Sequence, residues 1–219
     1  MVITLLAACD RLTKPTSSGR PYEVLVVVDD QLWQRPAGRA LFDVLDTDVP
    51  GLPQPERSFR ISQTTQKRFS QVLNIFRTII KVDIDPTQYT QTKMKFTRDV
   101  YARPQVVLTI QSPNEKDFAA FVKKNSRSII DFLVKVEMNR QINELEEKHS
   151  EAVSQLAEEI FKCQLWAPAE IKSYKKGKDF FWASSNTASG LVNICMYSYP
   201  YEGPRTFNKQ YVLAKRDSV

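Results

Sequence analysis

The chain has 219 residues, 42% of them hydrophobic and 26% charged, with a formal net charge of +6. That length can bury a sizeable core, and the apolar content excludes wholesale disorder. Its 31 basic residues are interspersed with 25 acidic ones, which argues against the massed positive surface of a nucleic-acid-binding protein.

The chain opens on Leu5-Leu6-Ala7-Ala8-Cys9, an apolar run closed by small residues, as a signal peptidase requires. Leu6-Ala7-Ala8-Cys9 resembles the bacterial lipobox, in which the chain is cut before the cysteine and the thiol carries diacylglycerol. The resemblance implies that residues 1–8 are a lipoprotein signal remnant and that Cys9 is lipidated. Residues 9–20 would then form a flexible tether, since Asp10 to Arg20 is polar, holds Pro15, Ser17, Ser18 and Gly19, and has no apolar period. No other segment is apolar over the length of a bilayer. The membrane partner is therefore expected to be reached through the lipid on Cys9, with residues 21–219 folding in water.

Tyr22 to Val28 is a nearly continuous β-branched run, which predicts a central strand covered on both faces. Asp29-Asp30 ends it, either as a cap for the next element or as a pair of working carboxylates. Pro36 suits the first turn of a helix with Leu41, Val44 and Leu45 on one face. Val49 to Pro55 is a stiff proline-rich loop. Phe59 to Ser62 reads as a strand, and Phe69, Val72, Leu73 and Phe76 have helical spacing. Strands are predicted at Thr78–Ile84, Lys93–Ala102 and Gln105–Gln111.

The longest element expected is a helix from Ser112 to Phe161. Ser112 and Glu115 form a capping-box pattern around Pro113, and no further proline or glycine occurs until Pro168. Its apolar stripe shifts near Glu137, so a bend is expected there. His149, the one histidine, is expected at the surface, without a second ligand or a nucleophile. Ile171–Tyr174 and Phe180–Ser184 flank a turn at Lys175-Lys176-Gly177-Lys178, Leu191–Tyr199 forms a further strand, and Thr206–Lys215 a helix. Cys163 and Cys195 are either a disulfide pair or two separate buried thiols.

These elements give an α+β class, with a mixed, largely antiparallel sheet packed on a long helix. Gln105–Val122 and Leu191–Val212 share a strand–proline–helix order, which admits a diverged α+β repeat with sub-units 21–162 and 163–219. The final helix reaches Val219 without a stop signal, so the second unit is expected to be incomplete and its C-terminal part missing.

The stretches Gly19–Val27, Val49–Pro55, Phe96–Ala102, Glu137–Ile142 and Glu170–Gly177 resemble a family of Bacteroidota lipoproteins, domain of unknown function 4837. The resemblance implies a lipid-anchored protein of the cell envelope. Asp10-Arg11-Leu12-Thr13 lacks the acidic cluster associated with surface export in that phylum, which favours a periplasm-facing position. No activity, cofactor or catalytic residue comes with the resemblance.

Hydrolase elbows, zinc-protease helices, P-loops and dinucleotide fingerprints are absent from the sequence. The leading expectation is a non-enzymatic binding or assembly role, with an envelope protein or glycan as partner and no cofactor, metal or nucleic acid. The alternative is an envelope hydrolase or a carbohydrate- or peptide-binding protein that uses residues 182–201. Trp182, Ser185, Asn186, Tyr197 and Tyr199 would form the ligand surface there; alternating aromatics in strands are more often packed interior, and Trp182 is expected to be core.

Overall fold

The computed structural model describes residues 14–70, 72–187 and 190–218. Cys9 and the first part of the tether lie outside them. The chain divides at Arg140–Gln141 into two compact units.

The first unit is built on five strands, β1 (Glu23–Val27), β2 (Arg60–Thr64), β3 (Thr78–Ile84), β4 (Lys93–Arg98) and β5 (Val106–Ser112), in the order β2-β1-β3-β5-β4. The pairs β1–β2, β1–β3 and β3–β5 are parallel, and only β4 runs antiparallel, against β5. The α+β class holds, but this sheet is mostly parallel. Its strands obey the two-residue period: Val24, Val26, Ile80, Leu108 and Ile110 face the helices, while Val27, Ile79 and Val107 face the other way.

Asp29 caps the short helix α1 (Asp30–Gln34) by accepting from the amides of Gln31 and Leu32, so it stops the strand and starts the helix. Its neighbour Asp30 is engaged by Arg68 at 2.6 Å and by Gln63 at 3.0 Å. Helix α2 (Pro36–Leu45) buries Leu41, Val44 and Leu45 as its pattern predicts. Gly38 lets the two helices close on each other: a Cβ there would stand 2.2 Å from the Leu32 carbonyl oxygen.

The helix expected from Phe69 to Phe76 does not form. Phe69 and Phe76 instead cover the second face of the sheet with Tyr101, and Val72 is exposed. The buried amide of Gln105 donates to the carbonyls of Asn74 and Phe76 at 2.6 and 2.7 Å, which holds these turns in place of helical bonds.

The single long helix is three: α3 (Glu115–Lys124), α4 (Ser126–Glu147) and α5 (Glu151–Phe161). Ser112 is the last residue of β5, and Asn114 is the true cap, accepting from the Asp117 amide. The Asn125 side chain takes the Phe121 carbonyl at 2.8 Å and ends α3. Ser150 caps α5 through the Val153 amide. At Glu137, where the stripe predicts a bend, α4 runs on.

In the second unit β6 (Ser173–Gly177), β7 (Phe180–Thr187) and β8 (Gly190–Tyr197) form an antiparallel meander. The turn falls at Lys178-Asp179, with Asp179 in the left-handed region at φ 56°. Val153, Leu156 and Ala157 of α5 pack on Phe181 and Ala183 of β7, so α5 belongs to this unit. Helix α6 (Lys209–Asp217) comes last, capped by Asn208. A repeat would require like pairing, yet β3 pairs with β5 in parallel whereas β6, β7 and β8 pair in succession. The two edges of this small sheet differ as well: β6 carries Lys175 and Lys176, and β8 has no charged residue or proline.

Candidate functional site

The two-residue period divides the second sheet into an inner and an outer face. Phe181 and Ala183 turn inward against α5. Register then fixes the outer neighbours: Trp182 stands between Lys175 of β6 and Cys195 of β8, and Phe180 lies beside Tyr197. Phe180, Trp182, Lys175, Cys195 and Tyr197 line an open cleft of about 640 Å³, to which Arg216 of α6 contributes. Trp182 is half-buried there and belongs to no core cluster, which corrects the reading of the aromatic strand as packed interior.

Aromatic rings continue from the cleft. Tyr197 and Tyr199 have centroids 6.1 Å apart, and Tyr199 and Tyr211 of α6 are 5.7 Å apart. The Lys215 ammonium sits 5.2 Å from the Tyr211 ring and 5.7 Å from that of Tyr199, within cation–π range. Arg216 is paired with Asp217 at 2.6 Å. Lys176, on the opposite face from Lys175, donates to Glu159 of α5 at 2.9 Å, and that bond holds its ammonium above the usual lysine value.

The predicted site residues are thus only partly brought together. Trp182 and Tyr197 share the cleft, and Tyr199 extends it. Ser185 is 2% exposed and its hydroxyl has no hydrogen-bond partner among the described residues; three positions from Trp182, it faces the other side of the sheet. Asn186 pairs with Leu191 across the strands, and its side chain lies outside the described part. Cys163 and Cys195 are both free, Cys163 half-buried and Cys195 exposed. Among the described residues, no three His, Cys, Asp or Glu side chains gather as a metal site would require.

Lys175, Phe180, Cys195 and Arg216 escape sequence reasoning as site residues, because their placement depends on cross-strand register and on α6. One signal points toward them. From Lys172 to Ser218 there are eight Lys and Arg against three Asp and Glu, while from Gln141 to Ile171 there are two against seven. The strands of this unit are basic and its helical approach is acidic.

Aromatic faces flanked by an ammonium and a guanidinium suit a ligand that has flat apolar faces and anionic groups. The family model of a domain of unknown function, DUF8532, matches residues 17–146, more than half of the chain. The chain belongs to this family. The part matched by DUF8532 holds the five-stranded sheet and all but the end of α4. The cleft lies beyond it, in residues 150–219, which match a second domain of unknown function, DUF4837. Of the stretches that resemble the latter, only Glu170–Gly177 falls within its match; the others lie in DUF8532. No curated protein and no solved structure matches the chain.

Proposed function

We propose that this is a lipid-anchored, non-enzymatic binding protein of the cell envelope that holds an anionic glycan on the outer face of β6–β8. The observation that carries this reading is the placement of Trp182 beside Lys175, with Phe180, Tyr197 and Arg216 around the same cleft. A pyranose ring presents C–H groups that pack on an indole face, and carboxylate or phosphate substituents are met by the flanking cations. Lys175 has no acidic partner among the described residues and is thus available to such a group. Anchoring rests on the Leu6-Ala7-Ala8-Cys9 pattern, and the lack of an acidic cluster at Asp10-Arg11-Leu12-Thr13 favours a periplasm-facing location.

The test is binding of the full chain to polygalacturonate and to its methyl-esterified form, which keeps the sugar rings and removes the charge. Polygalacturonate is expected to bind with an affinity that falls as salt rises. Trp182→Ala and Lys175→Ala should each weaken it about tenfold, the worth of one cation–π or charge-assisted interaction. Failure to bind the acidic polymer, or binding untouched by either substitution, overturns the reading.

A further inference from the structure

We propose that a second cleft of this unit, between α5 and the segment that follows it, binds an arginine side chain presented by a peptide partner. Helix α5 buries Val153, Leu156 and Ala157, so Gln155 and Glu158 lie on its opposite side, with Ser154 and Glu159 on its two flanks. The left-handed Lys162 turns the chain, and Cys163 to Trp166 runs back along the Ser154 flank of the helix. It is tied there by Ser154, whose hydroxyl donates to the Leu165 carbonyl at 2.8 Å, and by the Ser150 amide, which donates to the Ala167 carbonyl at 2.8 Å. The space between encloses about 670 Å³.

The lining has a definite polarity. His149 Nδ1 lies 2.8 Å from the Leu145 carbonyl. A carbonyl only accepts, so Nδ1 is the donor, and in the tautomer this bond selects Nε2 is the acceptor. The imidazole stacks on Trp166, with centroids 5.7 Å apart and planes 26° apart, and the indole remains 38% exposed. Glu159 is held by Lys176, whereas the exposed Glu158 carboxylate has no cation on it among the described residues. Among the described residues, no Lys or Arg lines the cleft.

An indole face, a carboxylate, an imidazole lone pair and the amides of Gln155 and Gln164 are thus presented together. Their complement is a planar cation with several donors, which can stack and donate at once. A guanidinium has that form, and a lysine ammonium lacks the plane. The excess of acids from Gln141 to Ile171 favours the approach of such a peptide. A larger neighbouring cleft, about 830 Å³ between Gln141–Lys148 and Pro168–Lys172, mixes Glu144 and Glu170 with Lys148 and Lys172 and has no aromatic wall, so it makes no comparable selection.

The full chain is titrated with acetyl-Gly-Arg-Gly-amide and with the same peptide carrying citrulline, an uncharged isostere of arginine. The readout is the indole N–H resonance of Trp166, identified by its disappearance in Trp166→Phe. The arginine peptide is expected to move that resonance, and the citrulline peptide to bind at least about tenfold more weakly, as removal of one charge-assisted interaction requires. Glu158→Gln, a surface change that leaves the fold intact, should weaken the arginine peptide similarly, while Trp182→Ala should leave its binding unaltered. Equal binding of the two peptides, an unmoved Trp166 resonance, or full affinity in Glu158→Gln overturns the assignment.

Discussion

Glu137 and Arg140 stand one turn apart on α4 and form an ion pair at 3.0 Å, with side chains only 3% and 7% exposed. Arg140 also donates to the Thr78 hydroxyl at 2.8 Å and to the Arg77 carbonyl at 2.5 Å, while Arg77 reaches Glu137 at 3.0 Å. The helix is thereby fastened to the start of β3 by charge rather than by apolar packing. Burial pulls the Arg140 guanidinium below its usual value, with Glu137 opposing the shift.

Removing the acid of this buried pair should therefore be severe. Glu137→Gln removes the carboxylate that Arg140 and Arg77 both reach and is expected to cost about 3–5 kcal/mol, as for other broken buried pairs. Denaturant melts against Glu146→Gln, an exposed change on the same helix, provide the comparison. A loss no greater than the control's would show that water reaches the pair.

The same residues explain what the sequence concealed. The buried face of α4 runs Ile129, Leu133, Glu137, Arg140, a regular helical progression whose last two members are charged. An apolar pattern search reads the change of chemistry as a shift of face and so places a bend where the helix runs on. The breaks at Asn125 and Ser150 rest on side chains that compete with the backbone for hydrogen bonds, and such residues look unremarkable amid helix formers. β1 and α2 were legible because burial alone specifies them. At the site, Trp182 and Tyr197 could be picked out by composition, but Lys175 and Arg216 join them only through strand register and the position of α6.

Adjacent residues on β7 should respond in opposite ways. Phe181 is fully buried, so Phe181→Ala is expected to lower stability by about 3–5 kcal/mol. Trp182→Ala removes a half-buried ring from the outer face and should cost about 1 kcal/mol or less, in keeping with substitutions outside the core. Thermal melts of the two variants decide it. Equal losses would return Trp182 to the interior.

Lipidation of Cys9 is tested in cells fed a clickable palmitate. The protein should take up the label, and Cys9→Ser should abolish it. Label retained in that variant would place the lipid elsewhere.

The two remaining thiols should differ in rate. In a Cys9→Ser background, Cys195 is exposed and Cys163 half-buried, so a thiol reagent should titrate one group rapidly and the second slowly. A single phase of two equal thiols would mean that α5 does not shelter Cys163.

Asp85 gives a pH dependence with a fixed sign. The hydroxyl and amide of Thr87 donate to its carboxylate at 2.6 and 2.7 Å and hold its pKa below the usual value. A depressed folded pKa contributes stability that is present above the unfolded value, about 3.9, and is lost as pH falls through the folded one. Asp85→Asn should therefore lower the neutral plateau of a stability–pH profile, leave its acid end nearly unchanged, and so flatten the acid limb between them. An unchanged limb would assign the acid sensitivity to other carboxylates.

The unlike edges of the second sheet limit how copies of this protein can add to one another. A strand aligned on β6 would have to accommodate Lys175 and Lys176, whereas β8 offers an uncharged rim, the kind that invites pairing. Two copies meeting through β8 would leave only the lysine-bearing rims of this three-stranded sheet outward. Growth by addition to this sheet would then stop at two chains, so crowding would yield pairs rather than fibres.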